Sequence, residues 1–228
     1  MTARPTPRFL REERGLTLVE LLVAMPMLTV LLGGLVLALT TLDRWNAQTR
    51  ERTAQQTAVR AAIDSFVSEV RAAYPVDPGD GLAQPIVTAT ASALTFYTPD
   101  RTPTSADGTS SFHLREVAYQ FTPTQLRRQS VTSSNAYQVL TGTTTWSFPG
   151  GAFPSPTAWV TVLGPPDGAP VSGSFSYFDA SGSELATPVT NVAAIASIRI
   201  TISASSGGSQ PSTTTFQDTA TIRETQST

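Results

Sequence analysis

Glu20 is an acid near the start of a long apolar stretch, which is where a charged side chain is least expected. Residues 16–42 hold no other charge, and 21–42 are 22 consecutive uncharged residues. A charged side chain at the centre of a bilayer costs something like 2.5–3.5 kcal/mol, and less near the edge. A simple membrane anchor has no use for that cost. The position of Glu20 therefore needs an explanation beyond membrane anchoring.

The flanking residues predict how this stretch lies in a membrane. At a rise of about 1.5 Å per residue, 22 helical residues span roughly 33 Å, enough for a hydrocarbon core of about 30 Å. Residues 1–15 carry four arginines and two glutamates, a net charge of +2. A basic flank stays in the cytoplasm. We therefore expect a single pass through the cytoplasmic membrane, with the C-terminal domain outside.

Two common kinds of membrane segment, a secretory signal and a plain signal anchor, are alternative explanations of this apolar run. A secretory signal has an apolar region of about 7–15 residues followed by a small-residue cleavage site, whereas this run is longer and no clear site follows it. A plain signal anchor fits the hydropathy equally well, but it leaves Glu20 unexplained.

Residues 15–20, Gly-Leu-Thr-Leu-Val-Glu, follow the basic leader and open the apolar run. This motif resembles the prepilin cleavage and methylation signal of type IV pilins and type II secretion pseudopilins. The resemblance implies that a prepilin peptidase cuts after Gly15, that Leu16 becomes an N-methylated N-terminus, and that Glu20 is the acid at the fifth mature position. Leu16 departs from the usual Phe but keeps a bulky apolar residue there.

Each part of the motif has a physical reason. Gly15 has no side chain, so a protease can take the backbone in extended form. Cleavage would free an α-amino group, with an ordinary pKa near 7.7–8.0, at a helix start where the dipole disfavours a cation. Glu20, about one turn further on, can offset such an ammonium in its own chain or a neighbouring subunit. The simpler alternative is a surface acid whose carboxylate reaches out to water.

The helix is expected to continue beyond the membrane, from 16 to 74, until Pro75 ends it. Pro26 and the pair Gly33-Gly34 are expected to interrupt it. The pattern of Gly33-Gly34 fits a small-residue packing surface equally well. Over 43–75 the pattern is amphipathic, with one face predicted to be buried and the other polar. The buried face comprises Val59, Ala62, Ile63, Phe66, Val67, Val70, Ala73 and Tyr74, and the polar face carries Arg60, Asp64, Ser68 and Arg71.

Residues 76–228 predict a β-rich domain. Ser and Thr together make up 58 of the 228 residues, which favours strands and turns. Candidate strands are 86–91, 94–98, 116–122, 125–132, 137–140, 158–163, 172–178, 192–203 and 213–223. Val117, Tyr119 and Phe121 alternate with polar or small residues, as in a half-buried strand. The expected fold is α+β, with a long N-terminal helix packed on an antiparallel sheet. Segment 94–98, and the order of segment 117–121, a turn and segment 125–129, also resemble those of J-type minor pseudopilins and W-type minor pilins.

No residue pattern predicts catalysis. The chain has no Cys and a single histidine, His113, which excludes thiolate and multi-histidine metal sites. We interpret the segments that contain Asp77, Asp80, Asp100 and Asp107 as solvated turns, and His113 as a surface residue. Of the tryptophans, Trp146 and Trp159 are expected in the core and Trp45 at the membrane interface. We expect no enzyme activity, no cofactor, no metal and no small-molecule substrate.

The leading hypothesis is a minor pilin or pseudopilin subunit that ends in a cell-surface or envelope filament. It comprises a leader (1–15), a transmembrane helix (16–42), an amphipathic helix (43–75) and a β-rich domain (76–228). Its expected partners are a prepilin peptidase, other pilin or pseudopilin subunits and the inner membrane. The alternative is a membrane-anchored binding module, an adhesin or DNA receptor, that enters no filament. With a net charge of −2 and one basic pair, Arg127-Arg128, DNA is kept as a minor, unsupported partner.

Overall fold

The fold is taken from a computed structural model that describes residues 17–75, 84–100, 111–138, 146–149, 153–155, 158–166, 168–206 and 212–222. Among these described residues, one long helix, α1, precedes nine strands that pair antiparallel in two sheets, so the α+β prediction is confirmed. The chain divides into two compact units, the first ending at Arg50 and the second beginning at Glu51.

The bounds of the elements are as follows: α1 Leu18–Arg71, β1 Ile86–Ala89, β2 Ala93–Asp100, β3 Ser111–Phe121, β4 Leu126–Gln138, β5 Val160–Leu163, β6 Val171–Phe178, β7 Glu184–Leu185, β8 Ser197–Ser206 and β9 Ser212–Thr221. A 3-10 turn at Val192–Ala194 precedes β8.

The first part of α1 is apolar and is not covered by the part of the chain that the structure describes. Its side chains are exposed, including Leu31 at 70% and Leu37 at 70%. The helix is long and apolar enough to cross a membrane. It remains helical through Pro26, Gly33 and Gly34, so the expected interruption is wrong.

The second part of α1 buries one face, as the periodicity predicts. Val59, Ile63, Phe66, Val67 and Val70 are buried together with Ala62 and Ala73, and the predicted polar face is exposed. Tyr74 is the exception at 38% exposed, because α1 ends at Arg71. From there the backbone turns towards β2, and the Tyr74 N–H donates to the Tyr97 carbonyl oxygen at 2.8 Å.

The strands form a five-stranded sheet in the order β1-β2-β3-β4-β5 and a four-stranded sheet in the order β7-β6-β8-β9. Phe66 of α1 contributes to the core between them. Its ring lies edge-on to Tyr119 of β3, at 5.2 Å between centroids, and stacks on Phe175 of β6 at 5.6 Å. The buried face of one helix thus covers the inner faces of both sheets.

Several strand predictions need correction. β3 begins at Ser111 and not at residue 116. The predicted segments 125–132 and 137–140 belong to one strand, β4. Residues 192–194 form the 3-10 turn instead of the start of a strand, and the two-residue β7 was not predicted. β3 is not half-buried, because Glu116 and Ala118 on its outer face are also covered. On the same face, Tyr97 of β2 lies opposite Glu116, and Phe148 stacks on the Tyr97 ring at 5.9 Å between centroids.

Candidate functional site

The first turn of α1 is closed by hydrogen bonds between Thr17 and Glu20. The Thr17 backbone N–H and hydroxyl both donate to Glu20 Oε2 at 3.1 Å, and the Glu20 N–H donates to Thr17 Oγ1 at 3.3 Å. The Thr17 carbonyl oxygen accepts the Leu21 N–H at 3.2 Å, the first bond of the helical ladder. Thr17 is therefore the N-cap residue and Glu20 the third helical residue of a capping box.

This capping box gives Glu20 a local partner that sequence analysis missed. The signal was present, because Thr followed three residues later by Glu ahead of an apolar run is the sequence pattern of a capping box. Glu20 itself is exposed, and its neighbours Leu18 and Val19 are 80% and 70% exposed. The site is thus an accessible carboxylate at a helix N-terminus, surrounded by uncovered apolar side chains.

The predicted processing residues, Gly15 and Leu16, lie outside the described residues. The described site begins one residue later, at Thr17. The structure therefore brings together Thr17 and Glu20 of the predicted motif.

A second polar cluster attaches α1 to the five-stranded sheet. Arg128 of β4 donates from Nη2 to Glu69 Oε1 at 2.7 Å and from Nε to Glu69 Oε2 at 3.1 Å. The Tyr119 hydroxyl donates to Glu69 Oε2 at 2.7 Å. Both charged side chains are largely buried, with 25% and 18% of their area exposed. A bidentate pair of this kind fixes orientation as well as distance. We call these three residues the Glu69 clamp.

The pKa values of Tyr119 and Arg128 are both raised above their ordinary values. Burial, followed by the charge of Glu69, raises the pKa of Tyr119. Burial acts to lower the pKa of Arg128, but the hydrogen bonds and charge of Glu69 outweigh it and raise that pKa. The guanidinium therefore stays charged, as the bidentate bond requires.

The basic pair Arg127-Arg128 does not form one surface. Arg127 lies on the other face of β4, where its guanidinium donates to Gln120 at 3.0 Å and lies 5.5 Å from the Trp159 ring. Alternation along a strand separates the two side chains. From the sequence the pair is one basic feature. The ion pair between Arg128 and Glu69, a residue beside the apolar stripe of α1, was not predicted.

The other residues considered for chemistry have ordinary contacts or lie outside the described residues. His113 Nδ1 lies 2.8 Å from the Ser133 carbonyl oxygen, so His113 is half-buried and hydrogen-bonded, not a free surface residue. Trp146 and Trp159 are half-buried, so their assignment to the core was wrong, and Trp45 is 69% exposed. Asp77, Asp80 and Asp107 are outside the described residues.

Glu116 is a covered carboxyl group on the outer face of β3. It lies opposite Tyr97 of β2 and Val131 of β4 and is 9% exposed. Burial raises its pKa to about 7. The same face holds the buried amide of Gln129, whose Oε1 has no hydrogen-bond partner among the described residues.

Comparison with known proteins adds no relative to this picture. No protein-family model matches the chain. No curated protein matches it at a significant level either.

We predict that Arg128→Ala destabilises the fold by about 2–3 kcal/mol, because it leaves the Glu69 carboxylate largely buried without its cation. Urea unfolding of the full chain in a mild detergent, followed by near-UV circular dichroism, measures this. Arg71→Ala is the matched control, since Arg71 is an exposed arginine in the last turn of α1, and it is expected to change stability by less than about 0.5 kcal/mol. Equal effects of the two changes would contradict a stabilising clamp.

We also predict that stability falls as the pH rises from about 4.5 to about 7. The carboxyl of Glu116 ionises near 4.5 in the unfolded chain and near 7 in the folded one, so the folded state holds more protons in that window. Glu116→Gln should therefore stabilise the chain at pH 8, by about 1–2 kcal/mol once solvent screening is allowed for, but not at pH 4.

Thermal unfolding at the two pH values measures this difference. Glu184→Gln, a change at an exposed carboxylate in β7, serves as the control and should have the same small effect at both. A stabilisation by Glu116→Gln that is equal at pH 4 and pH 8 would contradict the assignment.

Proposed function

We propose that this chain is a structural subunit of an envelope filament, a minor pilin or pseudopilin. Its precursor is cleaved after Gly15 by a prepilin peptidase and N-methylated at Leu16. The mature subunit then moves from the cytoplasmic membrane into a type IV pilus or a type II secretion pseudopilus. The observation that carries the proposal is the Gly-Leu-Thr-Leu-Val-Glu motif at 15–20, directly ahead of a helix whose first part is apolar and exposed.

The exposure of α1 supports assembly through this helix. Apolar side chains along its first part have no cover from the rest of the described chain, as Leu22 at 65% and Val30 at 75% illustrate. In a membrane, lipid covers such a surface. In a filament, the same surface would be covered by helices of neighbouring subunits. The apolar surface of α1 would therefore lie first in lipid and then against the helices of neighbouring subunits.

The geometry of the first turn suggests how Glu20 would act. Cleavage after Gly15 would leave an ammonium on Leu16, one residue before Thr17, to which Glu20 is hydrogen-bonded. Two unit charges about 4 Å apart interact by about 4 kcal/mol at an effective dielectric constant near 20, and desolvation removes much of this. Pairing of Glu20 with the ammonium of a neighbouring subunit would thus contribute little to affinity. Its main effect would be to fix one axial offset between the two subunits.

The Glu69 clamp fits the same proposal. A filament subunit must present its outer domain in a fixed orientation on the helix that assembles. The bidentate Glu69–Arg128 pair, with the Tyr119 hydroxyl, fixes the second part of α1 on the five-stranded sheet. The clamp would then keep the second part of α1 and this sheet together as one body.

The alternative is a membrane-anchored binding module, such as an adhesin or DNA receptor, that enters no filament. It requires the same exposed helix and β domain but neither cleavage nor subunit pairing. The motif at 15–20 and the placement of Glu20 favour the filament subunit, because a tethered module needs no acid in its membrane segment.

We expect the mature protein to begin at N-methylated Leu16. Intact-mass and N-terminal mass spectrometry of protein made in cells with an active prepilin peptidase will measure this. The same chain from cells lacking the peptidase is the control and should keep residues 1–15. A chain that keeps Met1 in the competent cells would refute the proposed identity.

We expect Glu20→Gln to be processed normally but to enter filaments poorly. Glutamine at the third helical position can still close a capping box, so this change removes the charge and keeps the local bonds. Thr17→Ala is the converse change, because it removes the hydroxyl of the cap and keeps the charge. It should weaken the helix start by about 0.5–2 kcal/mol and leave assembly largely intact.

The ratio of filament-bound to membrane-bound protein, measured by shearing and immunoblotting, distinguishes these outcomes. If Thr17→Ala blocks incorporation and Glu20→Gln does not, Glu20 acts as a helix cap and the counter-charge role is wrong.

A further inference from the structure

The β9 edge differs from the other three sheet edges of the described chain. β7 has two residues, and β1 and β5 have four residues each with an irregular register against their neighbours. β9 has ten residues and pairs with β8 without a register shift, from Ser212 opposite Ser206 to Thr221 opposite Ser197. Short or bulged edges resist pairing with another strand, whereas a long regular edge favours it.

The hydrogen bonds at the ends of β8 and β9 show which backbone groups face outward. The Ile222 N–H donates to the Ala196 carbonyl oxygen at 2.9 Å, so even-numbered residues of β9 point towards β8. Alternate residues of an antiparallel strand direct their N–H and C=O groups to opposite sides. The free edge therefore consists of the backbone groups of Thr213, Thr215, Gln217, Thr219 and Thr221.

Among the described residues, this edge lacks the usual protection against pairing. β9 contains no Lys, Arg or Pro, and its single charged residue is Asp218. One Asp218 carboxylate oxygen accepts the Thr219 N–H at 2.7 Å. The N–H groups of Thr213, Thr215, Gln217 and Thr221 have no backbone partner in the described chain. The edge is uncharged along most of its length and rich in Thr, a residue that favours strands.

We propose that β9 pairs antiparallel with β9 of a second copy of this chain, joining two four-stranded sheets into one of eight strands. This inference does not rest on the proposed function. A two-fold axis through Gln217 places Gln217 opposite itself, Thr215 opposite Thr219 and Thr213 opposite Thr221. These are the residues whose backbone groups face outward, so they can form the paired hydrogen bonds of an antiparallel ladder, about ten in all. Two of these bonds require the Thr219 N–H of each copy to exchange its Asp218 oxygen for the Thr215 carbonyl oxygen of the other copy.

A second copy fits this edge better than a charged partner because the strand is self-complementary. In the two-fold register, Asp218 lies opposite Phe216, so the two carboxylates do not oppose each other, and like charges directly opposite are destabilising. The outer face pairs Thr with Thr, a favourable cross-strand pair. An uncharged edge offers no charge complementarity to select a basic or acidic strand.

Cysteine cross-linking tests the register directly, since the chain contains no native Cys. In the proposed dimer the two Gln217 Cα atoms lie about 5.5 Å apart, within the range that a disulfide bridges. Gln217→Cys in the full chain, reconstituted in lipid nanodiscs that hold two copies, should shift from monomer to covalent dimer under mild oxidation. Ser172→Cys is the matched control, because Ser172 is exposed on the same sheet face two strands away and should stay monomeric.

A second variant separates edge pairing from chance collision in the membrane. Thr215→Pro in the Gln217→Cys background removes an outward N–H and leaves the backbone hydrogen bonds to β8 in place, as Pro on an edge strand permits. It also removes the side-chain contact between the Thr215 and Ser203 hydroxyls. It should abolish the covalent dimer, with an unchanged near-UV circular dichroism spectrum showing that the fold is kept. Cross-linking of Gln217→Cys no greater than that of Ser172→Cys, or dimer formation that Thr215→Pro does not reduce, would overturn the proposal.

Discussion

The packing of Phe66 is the interaction on which the rest of the described β domain depends. Its ring is fully buried and lies against Tyr119 of one sheet and Phe175 of the other. Through this ring the buried stripe of α1 is joined to the cores of both sheets. Burial of an aromatic side chain contributes about 1.5–3 kcal/mol, and the two ring contacts add to it. Burial is not directional, so it does not fix how α1 is oriented on the five-stranded sheet. The Glu69 clamp fixes that orientation.

Two hydrogen-bonded sites on the same helix have opposite surroundings. At Glu20 the carboxylate is exposed, and its partner is the adjacent Thr17. At Glu69 the carboxylate is largely buried, and its partners Tyr119 and Arg128 are 50 and 59 residues away in the sequence. A local bond needs little tertiary structure, whereas a long-range ion pair requires the fold to be complete. This difference is why Glu20 is available for an intermolecular role and Glu69 is committed to a structural one.

The two proposals concern different surfaces and different kinds of interaction. The filament proposal uses the exposed apolar part of α1, where lipid or another helix would provide cover. The dimer proposal uses the backbone of β9, where directional hydrogen bonds provide the specificity. Most of the outer face of the sheet next to β9 carries Ser and Thr side chains, and the Ser203 and Thr215 hydroxyls lie 3.1 Å apart across that face. This face is polar and partly exposed, and the free backbone groups of the β9 edge are the directional feature of that sheet.

Local pattern by itself determined the apolar run, the amphipathic stripe of α1, most strand positions and the Thr17–Glu20 cap, because these depend on spacing within a few residues. The motif at 15–20 likewise needs no tertiary information. Tertiary structure alone decided that Tyr74 leaves the helical stripe, that β3 is covered on both faces and that Arg127 and Arg128 have separate partners. It also decided that β9 ends its sheet. These features depend on which distant segments meet, and side-chain periodicity reports that a face is buried without reporting what buries it.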